Sequence, residues 1–266
     1  MANLAYYSMK SNPFQKDSNV TLDLIDFKEM TFRLNYLKDT KGIGLFTGVS
    51  GSGKTYTLKQ FSDNLNPQLY KVCYLSMSNL TTMDFYRALS IELNLETESR
   101  KVTMFHNIRE RISGLYEKQG VTPVIILDEA QHLKSEVLQD LIMLLNFDMD
   151  TVNKCVVVLT GLPSLNTTLS RAVMEPLRQR IVSNYQIVGI EPQEISMYIE
   201  KKLASVGRGD PLFTESAINA LTSNCQGSIR RLNLLLTHSL NIGILKKLQS
   251  LSEDIVFEAT QEMSII

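Results

Sequence analysis

The stretch GVSGSGKT, Gly48–Thr55, fits the pattern GxxxxGK[ST], and its flanks decide what it means. Before it runs GIGLFTG (42–48), apolar and of strand length. After it, TYTLKQFSDNL places apolar residues at helical spacing. A glycine-rich turn between a strand and a helix lets successive N–H groups and the helix N-terminus face a phosphate. Gly48, Val49, Ser50, Gly51, Ser52 and Gly53 are thus expected to cradle a nucleotide, with Tyr56 just beyond them. Lys54 is expected to reach the outer phosphates, and Thr55 to offer its hydroxyl to magnesium. The ligands so implied are ATP and Mg2+.

A phosphate loop calls for an acid at the end of a neighbouring strand. VIILDEAQHL (124–133) supplies it: Asp128 is placed to hold the metal, and Glu129 to polarise the attacking water. The next apolar run, VVVLTGLP, releases Thr160 either as a sensor of the terminal phosphate and its water or as a turn-forming Thr before Gly161. SRAVMEPLRQRIVSNY then brings Arg171, Arg178 and Arg180 close together. Arg178 or Arg180 is expected to serve as a finger that neutralises transition-state charge, the choice between them staying open. In QGSIRRLNLLL, Leu232, Leu235 and Leu236 must face a core, which leaves Arg230 free to look towards nucleotide. Gln131 and His132, straight after the two acids, stand where nucleotide state is relayed onward, though a plain turn hydrogen bond also accounts for His132.

Working outward, KVCYLSM (71–77), PVIILDE (123–129) and CVVVLTG (155–161) join GIGLFTG as strands dense in apolar residues on both faces, with YQIVGI (185–190) a short fifth. Helical segments alternate with them, the pattern of a parallel sheet flanked by helices. After Ile190 only helical patterns follow, EPQEISMYIEKKLASVG opening with a capping arrangement. The expected fold is an α/β P-loop NTPase core on a five-stranded parallel sheet (1–190), followed by a small all-helical lid domain (191–266).

With 266 residues, 44% of them hydrophobic, the chain can bury a full core. Its net charge of −1 gives no global attraction to nucleic acid. Cys73, Cys155 and Cys225 are odd in number and lack CxxC spacing, which argues for reduced buried thiols in a cytoplasmic protein rather than a disulfide framework or zinc site. Neither an export signal nor a long apolar run is present, so no membrane partner is expected.

Taken in order, GVSGSGKT, VIILDEAQHL, VVVLTG, LRQRI and GSIRRLN resemble the AAA+ ATPases. SNPF (11–14), DEAQHL and LRQRI are similar to the subgroup that holds ExeA-type ATPases and the TnsC/TniB-type regulators of DNA transposition. The resemblance implies that Pro13 and Phe14 run near the adenine, that Thr160 is the sensor on the fourth strand, that Arg178 or Arg180 enters a neighbour's site, and that Arg230 is the lid sensor. It also implies a homo-oligomer, a ring or a filament. ExeA-type proteins carry a transmembrane segment and a peptidoglycan-binding part that this sequence lacks, which favours the transposition reading. On that reading, the protein assembles with ATP on duplex DNA without reading bases, and recruits or stimulates a transposase, with a target-selector protein as a further partner. Arg100, Lys101 and Lys134 are candidate phosphate contacts, with Arg109 and Arg111 as alternatives. The alternative is an ExeA-like ATPase acting on protein partners in secretion or assembly. A replicative initiator or helicase loader ranks lower, since no room is left for a winged helix. A DEAQ helicase fails, since the chain holds one nucleotide-binding core and no SAT-like motif.

Overall fold

The computed structural model describes residues 4–15, 24–76 and 81–264. Met77, the last residue of the second predicted strand, lies outside them. Five strands, β1 (Gly42–Gly48), β2 (Tyr70–Ser76), β3 (Thr122–Asp128), β4 (Val156–Gly161) and β5 (Ile181–Ile187), pair in parallel in the order β2-β3-β4-β1-β5. Their side chains alternate between two apolar layers. Val124, Ile126, Val156 and Val158 point to the face covered by α1 (Ile25–Thr40) and α2 (Lys54–Asp63). Ile125, Leu127, Val157 and Leu159 point to the face covered by α3 (Thr82–Glu92), α4 (Lys101–Ser113) and α5 (Ser135–Leu144).

Strands β3 and β4 are buried along their whole length, as their unbroken apolar runs predict. At the sheet edges the prediction departs from the structure. β2 is only half-buried and exposes Tyr74, because an edge strand need not be covered on both faces. β5 begins four residues before the predicted YQIVGI, since Ser183 and Asn184 break its apolar run although the chain already pairs with β1 there. It also ends sooner. Gly189 takes φ +104°, its N–H donates to the Asp26 carboxylate at 2.6 Å, and a Cβ there would collide with the Gly227 carbonyl.

The residues divide into two compact units. One is the sheet unit, 29–48 and 54–187. The other combines 1–28, 49–53 and 188–266. This division differs from the 1–190/191–266 split read from sequence, in that the N-terminal segment groups with the helices. In the helical unit α8 (Pro192–Ser205), α9 (Glu215–Cys225), α10 (Ile229–Leu245) and α11 (Glu253–Ser264) share one apolar cluster with Tyr7, Met9, Phe14 and Leu24. The buried Glu194 carboxylate caps two helices at once, accepting from Glu191 N–H at 3.0 Å and Ile25 N–H at 2.7 Å. All three cysteines are buried and free. No helix among the described residues is long and apolar enough to cross a membrane.

Between α5 and β4 the chain makes a turn in which Asp148, Met149 and Asp150 all have left-handed φ, 48°, 56° and 69°. For residues other than glycine this costs about 1–2 kcal/mol each. The turn is held from both sides. Asp148 pairs with the buried Lys154 at 2.8 Å, and Asp150 takes both Arg180 amino groups, one of them at 2.7 Å. Asp148 first, and Glu117 after it, raise the Lys154 pKa above the ordinary lysine value.

Candidate nucleotide site at the strand ends

In an open parallel sheet, ligands gather at the carboxyl ends of strands where the order reverses, and here β1, between β4 and β5, marks that point. The ends of β3 and β4 carry Asp128 and Thr160. Asp128 is 2% exposed, and such a buried charge must be hydrogen-bonded. Its Oδ2 accepts from the Thr55 hydroxyl at 2.9 Å and the Tyr74 hydroxyl at 2.9 Å. Its Oδ1 accepts from the Thr160 hydroxyl at 2.7 Å and the Glu129 N–H at 3.0 Å. Three residues named from separate motifs, Thr55, Asp128 and Thr160, thus meet on one carboxylate.

Tyr74 was not legible. It sits on β2, and only the pairing of β2 with β3, which puts Ser76 beside Asp128, brings its ring alongside the acid. Burial first, and the hydrogen bond to Asp128 second, push its hydroxyl pKa up to about 12, so it stays a donor at any working pH. Tyr74→Phe deletes one donor to a buried carboxylate and is expected to lower stability by about 1–3 kcal/mol. Urea unfolding of the nucleotide-free protein measures this, and an unchanged midpoint overturns the assignment.

Glu129 has left-handed φ, +57°, at the junction of strand and 3-10 turn. Its Oε2 accepts from the Gln131 side-chain amide at 2.6 Å, while Gln131 Oε1 accepts the Leu162 N–H at 3.0 Å. Gly161 has no space for a side chain, because a Cβ would run into Gln131 Oε1. His132 is exposed beside this arrangement.

Lys54, 5% exposed, donates to the Gly48 carbonyl at 2.8 Å and so folds back over the loop it follows. Gly51 and Gly53 take φ +77° and +102°, the left-handed backbone that needs glycine. Residues 49–53 pack within the helical unit. There Ser228 Oγ donates to the Ser50 carbonyl at 3.0 Å, Arg230 N–H to the Gly51 carbonyl at 3.3 Å, and Arg230 Nη1 to Ser50 Oγ at 3.4 Å. Arg230 therefore touches the loop within the helical unit. Ser228 was missed, although Ser after Gly227 and before an amphipathic helix is an N-cap signal, and its hydroxyl also accepts from Arg231 N–H at 3.3 Å. Ser52 Oγ is buried with no hydrogen-bond partner, an orphan that a phosphate oxygen would satisfy. In the helical unit, this orphan and the positive-φ glycines fit a phosphate; in the sheet unit, the Thr55–Asp128 pair fits a metal ion. Val49 and Tyr56 are exposed.

The remaining candidates are sorted by their partners. Arg180 is bound bidentately by Asp150, whereas Arg178 is exposed and makes a single bond to the Leu169 carbonyl at 3.0 Å. Arg171 is exposed. Pro13 and Phe14 are buried, Phe14 in the helical unit's apolar cluster. Lys101 pairs with Asp140 at 2.5 Å. Arg109 donates to the Met143 and Asn146 carbonyls, and Arg111 to that of Leu93. Arg100 and Lys134 are exposed at the N-caps of α4 and α5.

A parallel sheet in this order, a phosphate loop after the interior strand β1 and an acid pair at the end of β3, two strands away across β4, define a P-loop ATPase with an AAA+ fold. The chain belongs to the AAA domain family, whose model matches residues 37–169, half of its length. General secretion pathway protein A of Aeromonas hydrophila is 31% identical over 215 residues, 80% of this chain and 39% of that protein. The chain thus spans about two fifths of that relative's length. Among solved structures, Cdc6p from Pyrobaculum aerophilum superposes with a TM-score of 0.71 at 15% identity, over 94% of this chain and 70% of that one. RuvB of Thermotoga maritima gives 0.56 at 17%, over 94% and 72%. At these identities the shared property is the fold.

Proposed function

We propose that this chain is an ATP-driven switch that acts on protein partners in secretion or assembly. The observation that carries this is the 31% identity, over 80% of the chain, to General secretion pathway protein A. It reverses the order of the two readings drawn from sequence, where a regulator of transposition on duplex DNA came first. The cations support the reversal. Lys101, Arg109 and Arg111 are engaged by the fold itself, which leaves Arg100 and Lys134 as exposed candidates against a net charge of −1. ORC1 from Aeropyrum pernix, solved in complex with DNA, shares the fold at 14% identity and carries no DNA contact over to this chain.

Within this reading, Thr55 and Asp128 would hold Mg2+, which would supply charge neutralisation at the outer phosphates. Lys54 and residues 48–53 bind the phosphates, Glu129 activates water, Thr160 orients it through Asp128, and Arg230 reports the loop's state to the helical unit. Pro13 and Phe14 brace the helical unit from within its core. Arg178 is the finger, because Arg180 is already neutralised by Asp150. A finger acting on a neighbour requires a homo-oligomer.

Two experiments test this. Glu129→Gln protein, holding ATP, is expected to co-purify with a secretion or envelope component and to show no ATP-dependent shift of duplex DNA at low salt. An ATP-dependent shift, or co-purification with a transposase, overturns the proposal in favour of the transposition reading. For the finger, Arg178→Ala is expected to lose most turnover and to regain part of it when mixed with Glu129→Gln subunits, while Arg180→Ala loses stability instead. Failure of mixing to restore turnover removes Arg178 from that role.

A further inference from the structure

The Gln131 side chain links the Glu129 carboxylate to the turn after β4. Its carbonyl oxygen accepts from the Leu162 N–H, two residues beyond Thr160, and its amide nitrogen lies 2.6 Å from Glu129 Oε2. The orientation of this amide is fixed by chemistry. A backbone N–H can only donate, so the oxygen must face Leu162, and the NH2 is left facing a carboxylate that can only accept. Gly161 closes the arrangement, since any larger residue would displace the Gln131 oxygen. Glu129 meanwhile holds a left-handed backbone, a conformation that costs about 1–3 kcal/mol and persists only where its surroundings enforce it.

We infer that Gln131 is a positioning residue for ATP hydrolysis: its amide holds one oxygen of Glu129, so that the other is aimed at the attacking water, and anchors that aim to the turn after β4. The chain that carries Thr160 and the acid that activates water are thereby set in one frame. Positioning of this kind is worth much in rate, because about 1 Å of misplacement costs roughly 10²-fold. The inference rests on Glu129 being the base, and the experiment separates the two.

Gln131→Glu keeps the shape and the acceptor for Leu162 N–H but turns a donor into a like charge. Gln131→Met keeps the volume and removes both bonds. Both variants are expected to lower kcat about 10- to 100-fold, with nucleotide affinity, read with a fluorescent ADP, within about threefold of the parent. Added to Glu129→Gln, Gln131→Met is expected to slow the residual turnover no further, since the two act as one unit. A kcat near or above that of the parent in both variants, or an equal loss of nucleotide affinity, overturns the inference. If Glu129→Gln itself retains turnover, it is the base assignment that falls.

Discussion

Lys54→Ala abolishes nucleotide binding at ordinary concentrations: the dissociation constant for ATP is expected to rise by about 10²–10³-fold, the equivalent of roughly 3–4 kcal/mol. Lys54 is 5% exposed and its ammonium already lies against the Gly48 carbonyl, so its position is set before nucleotide arrives. Alanine removes the one cation of the phosphate-loop motif and leaves two or more phosphate oxygens facing backbone N–H groups alone. Arginine is a poor replacement, because a planar guanidinium does not fit where a point charge is buried. Isothermal titration with ATP measures the effect. An affinity within about threefold of the parent would remove Lys54 from the site.

Glu129→Gln is expected to leave nucleotide affinity intact and reduce kcat by about 10³-fold, within the range for loss of a general base. The substitution preserves size and the partner of the Gln131 amide, because the new side chain still offers an acceptor oxygen. Only basicity is lost. Single-turnover hydrolysis with excess protein isolates this step from product release. Turnover within about tenfold of the parent would assign activation of water elsewhere.

The central strands were legible because burial on both faces forces continuous apolar runs, as in VIIL and VVVL. The edges were not, because Ser183, Asn184 and Gln186 break the apolar run of β5, which then resembles a loop. In the candidate site, Lys54, Thr55, Asp128, Glu129 and Thr160 were named from local motifs whose chemistry needs them, and the structure gathers Thr55 and Thr160 on the Asp128 carboxylate. Tyr74 was hidden, since its partner lies 54 residues away and strand order alone brings them together. The choice between Arg178 and Arg180 stayed open in the sequence for a like reason: Asp150, which pairs with Arg180, is 30 residues upstream. Arg230, read from the leucine spacing of α10 as facing nucleotide, meets Ser50 and Gly51 of the loop in the structure.

The turn at Asp148, Met149 and Asp150 shows how handedness can be held from outside the backbone. In an L-chain the Cβ atoms normally decide the screw sense, and three successive residues of the opposite sense form a small mirror-image fragment. Nothing in Met149, which is almost fully solvent-facing, selects that sense. The turn that adopts it is closed by Asp150 N–H to the Phe147 carbonyl at 2.8 Å and the Thr151 hydroxyl to the Asp148 carbonyl at 2.7 Å, with Lys154 and Arg180 holding the two flanking carboxylates. The mirror-image fragment is thus pinned at both ends by side chains from outside it.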